Sequence, residues 1–293
     1  MNAPLKVLIT GAGGQLGHVL CATAPQDVLL LGVTHAELDI GDLQSVQRGV
    51  TVFRPDLIIN AAAYTAVDKA EDDEAEAECG NVQGPRNLAR VARELGHARL
   101  IHVSTDFVFD GSQSSPYRPD SMPAPLGVYG RTKLQGEQVV REVLGDRALI
   151  VRTAWVYGPQ GRNFLRTMLR LMKERGAVRV VADQVGTPTC TGSLAQVLWQ
   201  FARRPELSGI YHWTDAGVAS WYDFAVAIAE EAVAAGVLSE MPQVEPIATH
   251  EFLTPVQRPA YSVLDKSATH AALGIRPVHW RQRLREVMKQ ITP

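Results

Sequence analysis

The amino-acid sequence predicts an α/β protein with a doubly wound parallel sheet and a smaller C-terminal α/β domain. Two observations carry this prediction. Short apolar runs without polar alternation, typical of buried parallel strands, alternate with longer amphipathic stretches that are typical of helices. A glycine-rich turn, Gly11–Gly17, joins the first such run to the first helical stretch. Alternation of this kind gives a right-handed parallel sheet with helices on both faces.

Six apolar runs are the expected strands. The first begins close to the amino terminus, and the others follow at intervals that leave room for one helix each. After the third run, Asp42 is a good helix N-cap, because its carboxylate can accept a backbone N–H. The six runs are Lys6–Thr10, Val28–Val33, Leu38–Ile40, Asp56–Ala63 with its exit loop, Leu100–Val103 and Leu149–Thr153.

The composition argues against several classes of protein. The 293 residues carry a formal net charge of -2, which gives no electrostatic reason for binding nucleic acid or an anionic membrane. The three cysteines are far apart and odd in number, so we expect neither a disulfide framework nor a zinc site. There is no signal peptide and no apolar run of about 18 residues. We therefore expect a cytoplasmic protein without a bound metal.

The glycines at positions 11, 14 and 17 form the pattern GxxGxxG between a strand and a helix. Glycine permits the tight turn, lets the backbone approach a pyrophosphate and lets the helix pack on the strand. The helix that begins at Gln15 then offers backbone N–H groups and the positive end of its dipole. The pattern predicts a dinucleotide-binding site; the alternative is a plain glycine turn.

The residues after the second strand bear on the choice of dinucleotide. An NAD-selective site usually has an acidic residue here, bonded to the ribose 2′-OH. Thr34 and His35 stand in its place and can donate to a 2′-phosphate. We therefore expect NADPH and leave NADH open. Asp39 can reach the adenine amino group, and the three alanines Ala61–Ala63 leave room for a flat ligand.

Tyr129 and Lys133 are four residues apart, so on a helix they lie on one face. A lysine ammonium beside a phenol favours the phenolate and lowers its pKa, which suits a general acid or base. Thr105 ends the apolar run that precedes them, so its hydroxyl should face the same crevice. We infer a catalytic set of Thr105, Tyr129 and Lys133; the alternative is an ordinary helix start with a solvated lysine.

The second half of the chain contains the candidate substrate-binding residues. We expect a dinucleotide-binding domain over residues 1–155, with a return segment near 190–215, and mainly a substrate domain over 156–293. Asn163 opens a helix whose amino terminus can hold an anion, or is simply its N-cap. Arg258 can bind a diphosphate by charge-assisted hydrogen bonds. His212 lies in a further predicted strand, Ile210–Trp213. It is interpreted as structural, as are Trp213 and Trp221.

Several longer segments resemble one family, the dTDP-4-dehydrorhamnose reductases among the extended short-chain dehydrogenase/reductases. The likeness covers essentially the whole chain. The glycine pattern and YxxxK are general in that superfamily, whereas V-D-K-A-E, S-T-D-x-V-F and D-Q-x-G-x-P-T are far more particular. The segments are Asn60–Glu71, Ser104–Gly111, Val128–Lys133, Arg152–Tyr157, Asp183–Thr189 and Arg258–Pro259.

The resemblance implies reduction of the C4 ketone of a dTDP-4-dehydro-sugar by NADPH in a Rossmann-fold enzyme. Tyr129 would donate the proton, Lys133 would bind the nicotinamide ribose, and Thr105 would stabilise the developing charge on the oxygen. It implies cofactor contacts from Gly11, Gly14, Gln15, Leu16, Gly17, Thr34, His35, Asp39, Ile40, Ala61, Ala62, Ala63, Tyr64, Tyr129 and Lys133. It implies substrate contacts from Thr65, Val67, Asp106, Trp155, Asn163 and Arg258.

Two alternatives remain open from the sequence. A sister enzyme, such as a nucleotide-sugar 4-epimerase or a reductase of another deoxysugar, would share Tyr129 and Lys133. A non-catalytic NADP-binding regulatory subunit would also resemble this family. Some members of the family form a magnesium-bridged dimer, but Val19 and the stretch Cys190–Ser193 offer no carboxylate at the two bridging positions. We therefore expect a monomer rather than a metal-bridged homodimer.

Overall fold

A computed structural model gives the arrangement of residues 3–291. The strands of the main sheet come mostly from the first half of the chain, and the remaining strands form short pairs within the second half. The strands are β1 (Leu5–Thr10), β2 (Val28–Val33), β3 (Leu57–Asn60), β4 (Arg99–Thr105), β5 (Ala148–Thr153), β6 (Val156–Tyr157), β7 (Ala177–Val181), β8 (Val185–Gly186), β9 (Thr189–Cys190), β10 (Gly209–His212), β11 (Ala219–Ser220) and β12 (Gln243–Ile247).

Over most of the chain, helices alternate with strands or with short groups of strands. They are α1 (Gln15–Ala22), α2 (Leu43–Phe53), α3 (Glu74–Glu78), α4 (Gly84–Glu94), α5 (Val128–Leu144), α6 (Phe164–Arg175), α7 (Thr191–Ala202), α8 (Trp221–Ala234), α9 (Ser267–Leu273) and α10 (Trp280–Met288). Asp42 caps α2 as expected, because its side chain accepts a hydrogen bond from Gln44 N. No helix among the described residues is long and apolar enough to cross a bilayer.

The main sheet has six parallel strands in the order β10-β5-β4-β3-β1-β2. The predicted fold class, a doubly wound parallel sheet, is therefore confirmed. β1 and β3 end level with each other, where Thr10 pairs with Asn60, and β4 and β5 end level, where Thr105 pairs with Thr153. Polar side chains that end these strands are thus brought to one edge, where ligands of such sheets bind.

The core is arranged in layers on the two faces of the sheet. Successive strand residues point to opposite faces, so Val7 and Ile9 pack with α1 and α7, whereas Leu8 packs with α2 and α4. A separate apolar cluster joins α6, α8 and α10 in the second half of the chain. This arrangement explains the nearly continuous apolar character of the strands, since both faces are covered.

One predicted strand is wrong. Leu38–Ile40 has no strand pairing, and the chain there forms a loop whose Leu38 and Ile40 side chains are buried in the layer below α2. Burial explains the apolar pattern without a strand. The sixth strand of the sheet is β10, which covers most of the predicted strand Ile210–Trp213 and pairs with β5. Outside the main sheet, the strands form three pairs: β7–β12, β8–β11 and β6–β9. The division into domains at residue 155 stays a prediction.

Candidate active site

The glycine turn after β1 is a cradle that only glycine can form. Gly11 has a φ of +73°, and a Cβ built on it would lie 2.7 Å from Ala62 N. A Cβ on Gly17 would lie 2.1 Å from the carbonyl oxygen of Gly11, so the first turn of α1 packs directly on the turn. Both distances are far below van der Waals contact. The cradle therefore brings backbone, without side chains, to the edge of the sheet, as a pyrophosphate requires.

The amino terminus of α1 is open to a ligand on its backbone side. The N-cap is Gly14, which has no side chain to occupy the first backbone N–H groups of the helix. The side chain of Leu16 points into the core, so only its backbone can reach a phosphate. Gln15 connects this end to the second half of the chain, because its Oε1 accepts a hydrogen bond from Asn163 Nδ2 at 3.2 Å.

Asn163 caps α6, as the simpler interpretation of the sequence held. Its Oδ1 accepts from Arg166 N at 3.0 Å, and its Nδ2 lies 3.1 Å from each of the carbonyl oxygens of Gly158 and Gln160. The amide is therefore already engaged at both ends. A substrate contact from Asn163 stays a prediction, and it would replace one of these bonds.

The exit of β2 holds a carboxylate that sequence inspection missed. Glu37 Oε2 accepts hydrogen bonds from both Thr34 N and Thr34 Oγ1, each at 2.8 Å. The assumption that no carboxylate stands here is therefore wrong, because the acidic residue comes three positions later in a turn. The two hydrogen bonds from Thr34 hold the pKa of Glu37 below its usual value, so it is ionised at neutral pH. His35 remains exposed beside it.

Asp39 and Ile40 lie in the loop rather than on a strand. Asp39 Oδ1 accepts from Gly41 N at 2.8 Å and so shapes its own turn. The Ile40 side chain is buried and fills the space where Gly84 has no Cβ. A contact of these residues with an adenine ring stays a prediction, and for Ile40 only the backbone is available.

The exit of β3 is held by two asparagines. Asn60 Oδ1 accepts from Thr10 Oγ1 at 2.7 Å and from Ala62 N at 3.1 Å. Asn81 accepts from Tyr64 N at 2.9 Å and donates to Tyr64 O at 3.1 Å. These bonds place the small residues Ala61–Ala63 directly against the glycine cradle, which is where a flat ligand would pass.

Thr105 and Asp106 stand together at the end of β4, and both are buried. The Thr105 hydroxyl donates to Asp106 Oδ1 at 3.1 Å and accepts from Phe107 N at 3.2 Å. Burial raises the pKa of Asp106 to about 6, although the Ser262 and Thr105 hydroxyls oppose this. Within residues 3–291, the second carboxylate oxygen, Oδ2, has no hydrogen-bond partner. Such an oxygen can accept from a sugar hydroxyl.

Tyr129 and Lys133 lie on the first turns of α5, as predicted. The helix start is fixed by Glu71, whose Oε1 accepts from Val128 N at 2.8 Å. The Lys133 ammonium is buried and donates to the carbonyl of Val103 at 2.7 Å. Burial lowers the pKa of Lys133 from 10.5 to about 8, while the Glu137 carboxylate partly offsets this.

The predicted lowering of the Tyr129 pKa by Lys133 is wrong for this arrangement. Burial raises the pKa of Tyr129 to about 12; hydrogen bonding with Thr105 opposes the change, and the charge of Asp106 reinforces it. The physical reason is that the lysine is itself desolvated and engaged with Val103, whereas the phenol loses hydration. Tyr129 is thus a protonated phenol at neutral pH in the free protein.

A buried ion pair behind the site was not anticipated. Arg152 NH2 lies 2.7 Å from Glu137 Oε2, and both side chains are only 2% exposed. Ser104 Oγ also donates to Glu137. A signal existed in the sequence: Arg152 interrupts an apolar strand, and Glu137 follows Lys133 by one helical turn. A charge in a buried strand requires a buried partner.

Trp155 follows β5 in a conformation that non-glycine residues rarely adopt, with a φ of +48°. Its ring stacks on Trp221, with centroids 3.5 Å apart and planes at 6°. A Cβ on Gly186 would lie 2.5 Å from the Trp155 indole. The glycine of D-Q-x-G-x-P-T therefore leaves room for this ring. Strain of this kind is concentrated at functional sites, and Trp221 belongs to the same aromatic surface.

Arg258 meets the V-D-K-A-E segment across the site. Its NH2 lies 2.9 Å and 3.1 Å from the two carboxylate oxygens of Asp68. Val67 lies next to this pair and is partly buried, whereas Thr65 is exposed. The structure brings these residues together, and their contact with a substrate stays a prediction.

No group of three or more metal-ligating side chains occurs among residues 3–291.

Comparison with known proteins identifies the chain's relatives. The family described as RmlD substrate binding domain matches residues 5–292. A dTDP-4-dehydrorhamnose reductase from Aggregatibacter actinomycetemcomitans is 43% identical over 289 residues, covering 96% of this chain and 98% of the relative. A probable dTDP-4,6-dihydroxy-2-methyloxan-3-one 4-ketoreductase from Streptomyces antibioticus is 42% identical over 292 residues, covering 98% and 96%.

A solved structure agrees with these matches. The crystal structure of dTDP-4-dehydrorhamnose reductase from Bacillus anthracis in complex with NADP has a TM-score of 0.92 and 36% identity, and covers 98% of this chain and 99% of that one. The match extends over both halves of the chain, so it is not confined to the dinucleotide-binding half. The chain belongs to the RmlD substrate binding domain family.

Proposed function

We propose that the protein reduces the C4 ketone of dTDP-4-dehydro-β-L-rhamnose with NADPH, which forms dTDP-L-rhamnose in the last step of its synthesis. The names of its relatives support this substrate, and the NADP-bound structure supports the cofactor. One observation carries the proposal. β4 ends at Thr105, at the same edge of the sheet as the glycine cradle, and the first turns of the next long helix, α5, carry Tyr129 and Lys133.

The cradle fits the dinucleotide. The missing side chains at Gly11 and Gly17, and the uncapped start of α1, provide the backbone surface that a pyrophosphate needs. Lys133 would hold the nicotinamide ribose, and Thr34 and His35 would donate to the 2′-phosphate of the adenosine ribose, although the charge of Glu37 opposes this contact. When bound, NADPH supplies the hydride that adds to the C4 carbon.

The protein's own part in the reaction is to supply a proton and to stabilise charge. Tyr129 keeps its proton at neutral pH because burial raises its pKa to about 12, and it donates this proton to the C4 oxygen as negative charge develops there. The Lys133 ammonium then stabilises the phenolate that remains. The Thr105 hydroxyl donates to the same oxygen after turning away from Asp106.

The remaining residues would hold the sugar nucleotide. Asp106 Oδ2 can accept a hydrogen bond from a sugar hydroxyl, since its pKa of about 6 leaves it mostly ionised at neutral pH. Trp155 offers a ring face or edge to the sugar. Arg258 can exchange one bond to Asp68 for a diphosphate oxygen. We further propose a metal-independent monomer, with no nucleic-acid or membrane partner.

The decisive experiment measures NADPH oxidation with enzymatically prepared dTDP-4-dehydrorhamnose and identifies the product sugar by NMR. We expect turnover by the purified protein alone and a product with the rhamno configuration. A related dTDP-4-keto-6-deoxy sugar, tested as a competitor, checks the choice of substrate. Tightly bound NAD⁺ with epimerised product would establish the sister-epimerase alternative, and NADPH that is never oxidised would support the regulatory one.

A further inference from the structure

A chain of buried polar side chains leads from the strand before the glycine turn to Lys133. Thr10 Oγ1 donates to Asn60 Oδ1 at 2.7 Å, and Asn60 Nδ2 lies 3.0 Å from His102 Nδ1. His102 Nε2 lies 3.5 Å from Lys133 Nζ. The first three side chains are fully buried, and Lys133 is 2% exposed. Of these four side chains, the proposed reaction uses only that of Lys133.

The hydrogen bonds determine which ring nitrogen of His102 carries the proton. The backbone N–H of Ala62 can only donate, and it donates to Asn60 Oδ1 at 3.1 Å. The amide nitrogen of Asn60 therefore faces His102 and donates to Nδ1. Burial, together with the charge of Lys133, keeps the pKa of His102 well below 6.5, so the ring is neutral. Its one N–H is therefore on Nε2.

This tautomer places an N–H opposite the lysine nitrogen, where two donors cannot bond to each other. We propose that His102 is a positioning residue for Lys133: its Nε2–H directs the lysine protons toward the Val103 carbonyl and the reacting groups, and favours release of one of them at alkaline pH. The proposal rests on the catalytic role of Lys133 in the proposed function. His102 acts through Lys133 and does not touch the reacting atoms.

The other charged or titratable groups around Lys133 act differently. Glu137, one helical turn after it, favours the ammonium and is itself paired with Arg152. Tyr129 lies one turn before it on the same face. His102 is the group that faces Nζ from the sheet. Because one hydrogen-bond dipole is involved, its removal should raise the lysine pKa by about half a unit to one unit.

The tautomer is tested directly by long-range ¹H–¹⁵N NMR of the histidine rings in the full-length protein. The signal that disappears in a His102→Gln variant belongs to His102. We expect a protonated Nε2 and an unprotonated Nδ1 from pH 6 to pH 9. A ring protonated on Nδ1, or on both nitrogens, would overturn the proposal without reference to any activity.

Two variants of His102 separate the proposed contact from simple packing. The amide nitrogen of His102→Gln can occupy the position of Nε2 and still donate to Lys133. His102→Asn can satisfy Asn60 but is too short to reach Lys133. We expect the alkaline limb of the kcat profile to move up by about half a pH unit to one unit in His102→Asn and to stay in place in His102→Gln. Equal profiles in wild type and His102→Asn would refute the proposal.

Asn60→Asp provides a second route if His102→Asn does not fold. Its new carboxylate would accept from Nδ1 and move the ring proton away from Nε2, so NMR should show the opposite tautomer and the alkaline limb should rise. An unchanged tautomer would contradict the hydrogen-bond assignment. If no sugar nucleotide is reduced, the proposed function fails, while the NMR result and the pH dependence of NADP⁺ affinity still decide the role of His102.

Discussion

Replacing Lys133 with methionine should stabilise the free protein while it impairs the reaction. The lysine is 2% exposed, and its pKa falls from 10.5 to about 8 because the charge is desolvated. Each pKa unit corresponds to about 1.4 kcal/mol, so the buried charge costs the folded state about 3 kcal/mol. Methionine is similarly long and carries no charge. It loses the bond to the Val103 carbonyl, worth about 1 kcal/mol.

The net expectation at pH 7 is an unfolding free energy about 2 kcal/mol higher in Lys133→Met than in wild type. The pH dependence follows from the sign of the shift. Below pH 8 both states of the wild type keep the lysine proton, and the folded state bears the full cost. Between pH 8 and 10.5 the folded state loses its proton first, so wild-type stability rises. The advantage of the variant should therefore shrink over that interval.

Urea unfolding followed by circular dichroism at pH 7, 8, 9 and 10 measures this difference. Lys173→Met is the matched control, because Lys173 is an exposed lysine on α6; it should change stability by less than about 0.5 kcal/mol at every pH. A Lys133→Met variant that is less stable than wild type at pH 7, or a difference that does not vary with pH, would show that the lysine bears no desolvation cost.

Four further predictions follow from the site. Tyr129→Phe should lower kcat by at least ~100-fold with nearly unchanged NADPH affinity, because only the proton donor is lost; stopped-flow hydride transfer within a few-fold of wild type would exclude the tyrosine. Glu37→Gln should raise the NADPH-to-NADH ratio of kcat/KM several-fold, since it removes the charge near the 2′-phosphate but keeps an acceptor for Thr34; an equal ratio would place that recognition elsewhere. Gly186→Ala should raise the KM for the sugar nucleotide by about 10- to 100-fold by displacing Trp155, with the KM for NADPH as the internal control. Light scattering should give the same monomer mass with and without EDTA, and a dimer that dissociates on chelation would contradict the metal-independent assembly.

The sequence was sufficient for the fold because its strands are buried on both faces. β2 begins and ends where the apolar run does, and Thr105 ends β4 as expected. The failure at Leu38–Ile40 has a simple cause: a three-residue apolar run can be buried as a loop as well as in a strand. The sequence predicts that a segment near 190–215 returns to the first domain, and β10 lies in that segment, but no local pattern determines that its partner is β5.

The positions of the catalytic candidates could be predicted from the sequence, but their protonation could not. Spacing places Tyr129 and Lys133 on one helical face, and sheet topology brings Thr105 to the same edge. The direction of a pKa shift depends instead on the depth of burial and on which partner each group meets. The carboxylate of Glu37 was missed for a similar reason. It lies three residues after Thr34, and only the folded turn brings the two side chains into contact.

Burial accounts for the division of roles between the two central residues. A lysine that lowered the pKa of the phenol toward neutrality would make Tyr129 a stronger acid but would leave part of it already ionised. In this structure burial raises the pKa of Tyr129 and lowers that of Lys133, so each group is destabilised in its charged form. In the proposed reaction, proton transfer from Tyr129 would leave a phenolate near the Lys133 ammonium, and their attraction would strengthen when the cofactor and substrate exclude water. The burial that costs stability in the free protein therefore also keeps the proton on Tyr129 until negative charge develops on the substrate oxygen in the proposed reaction.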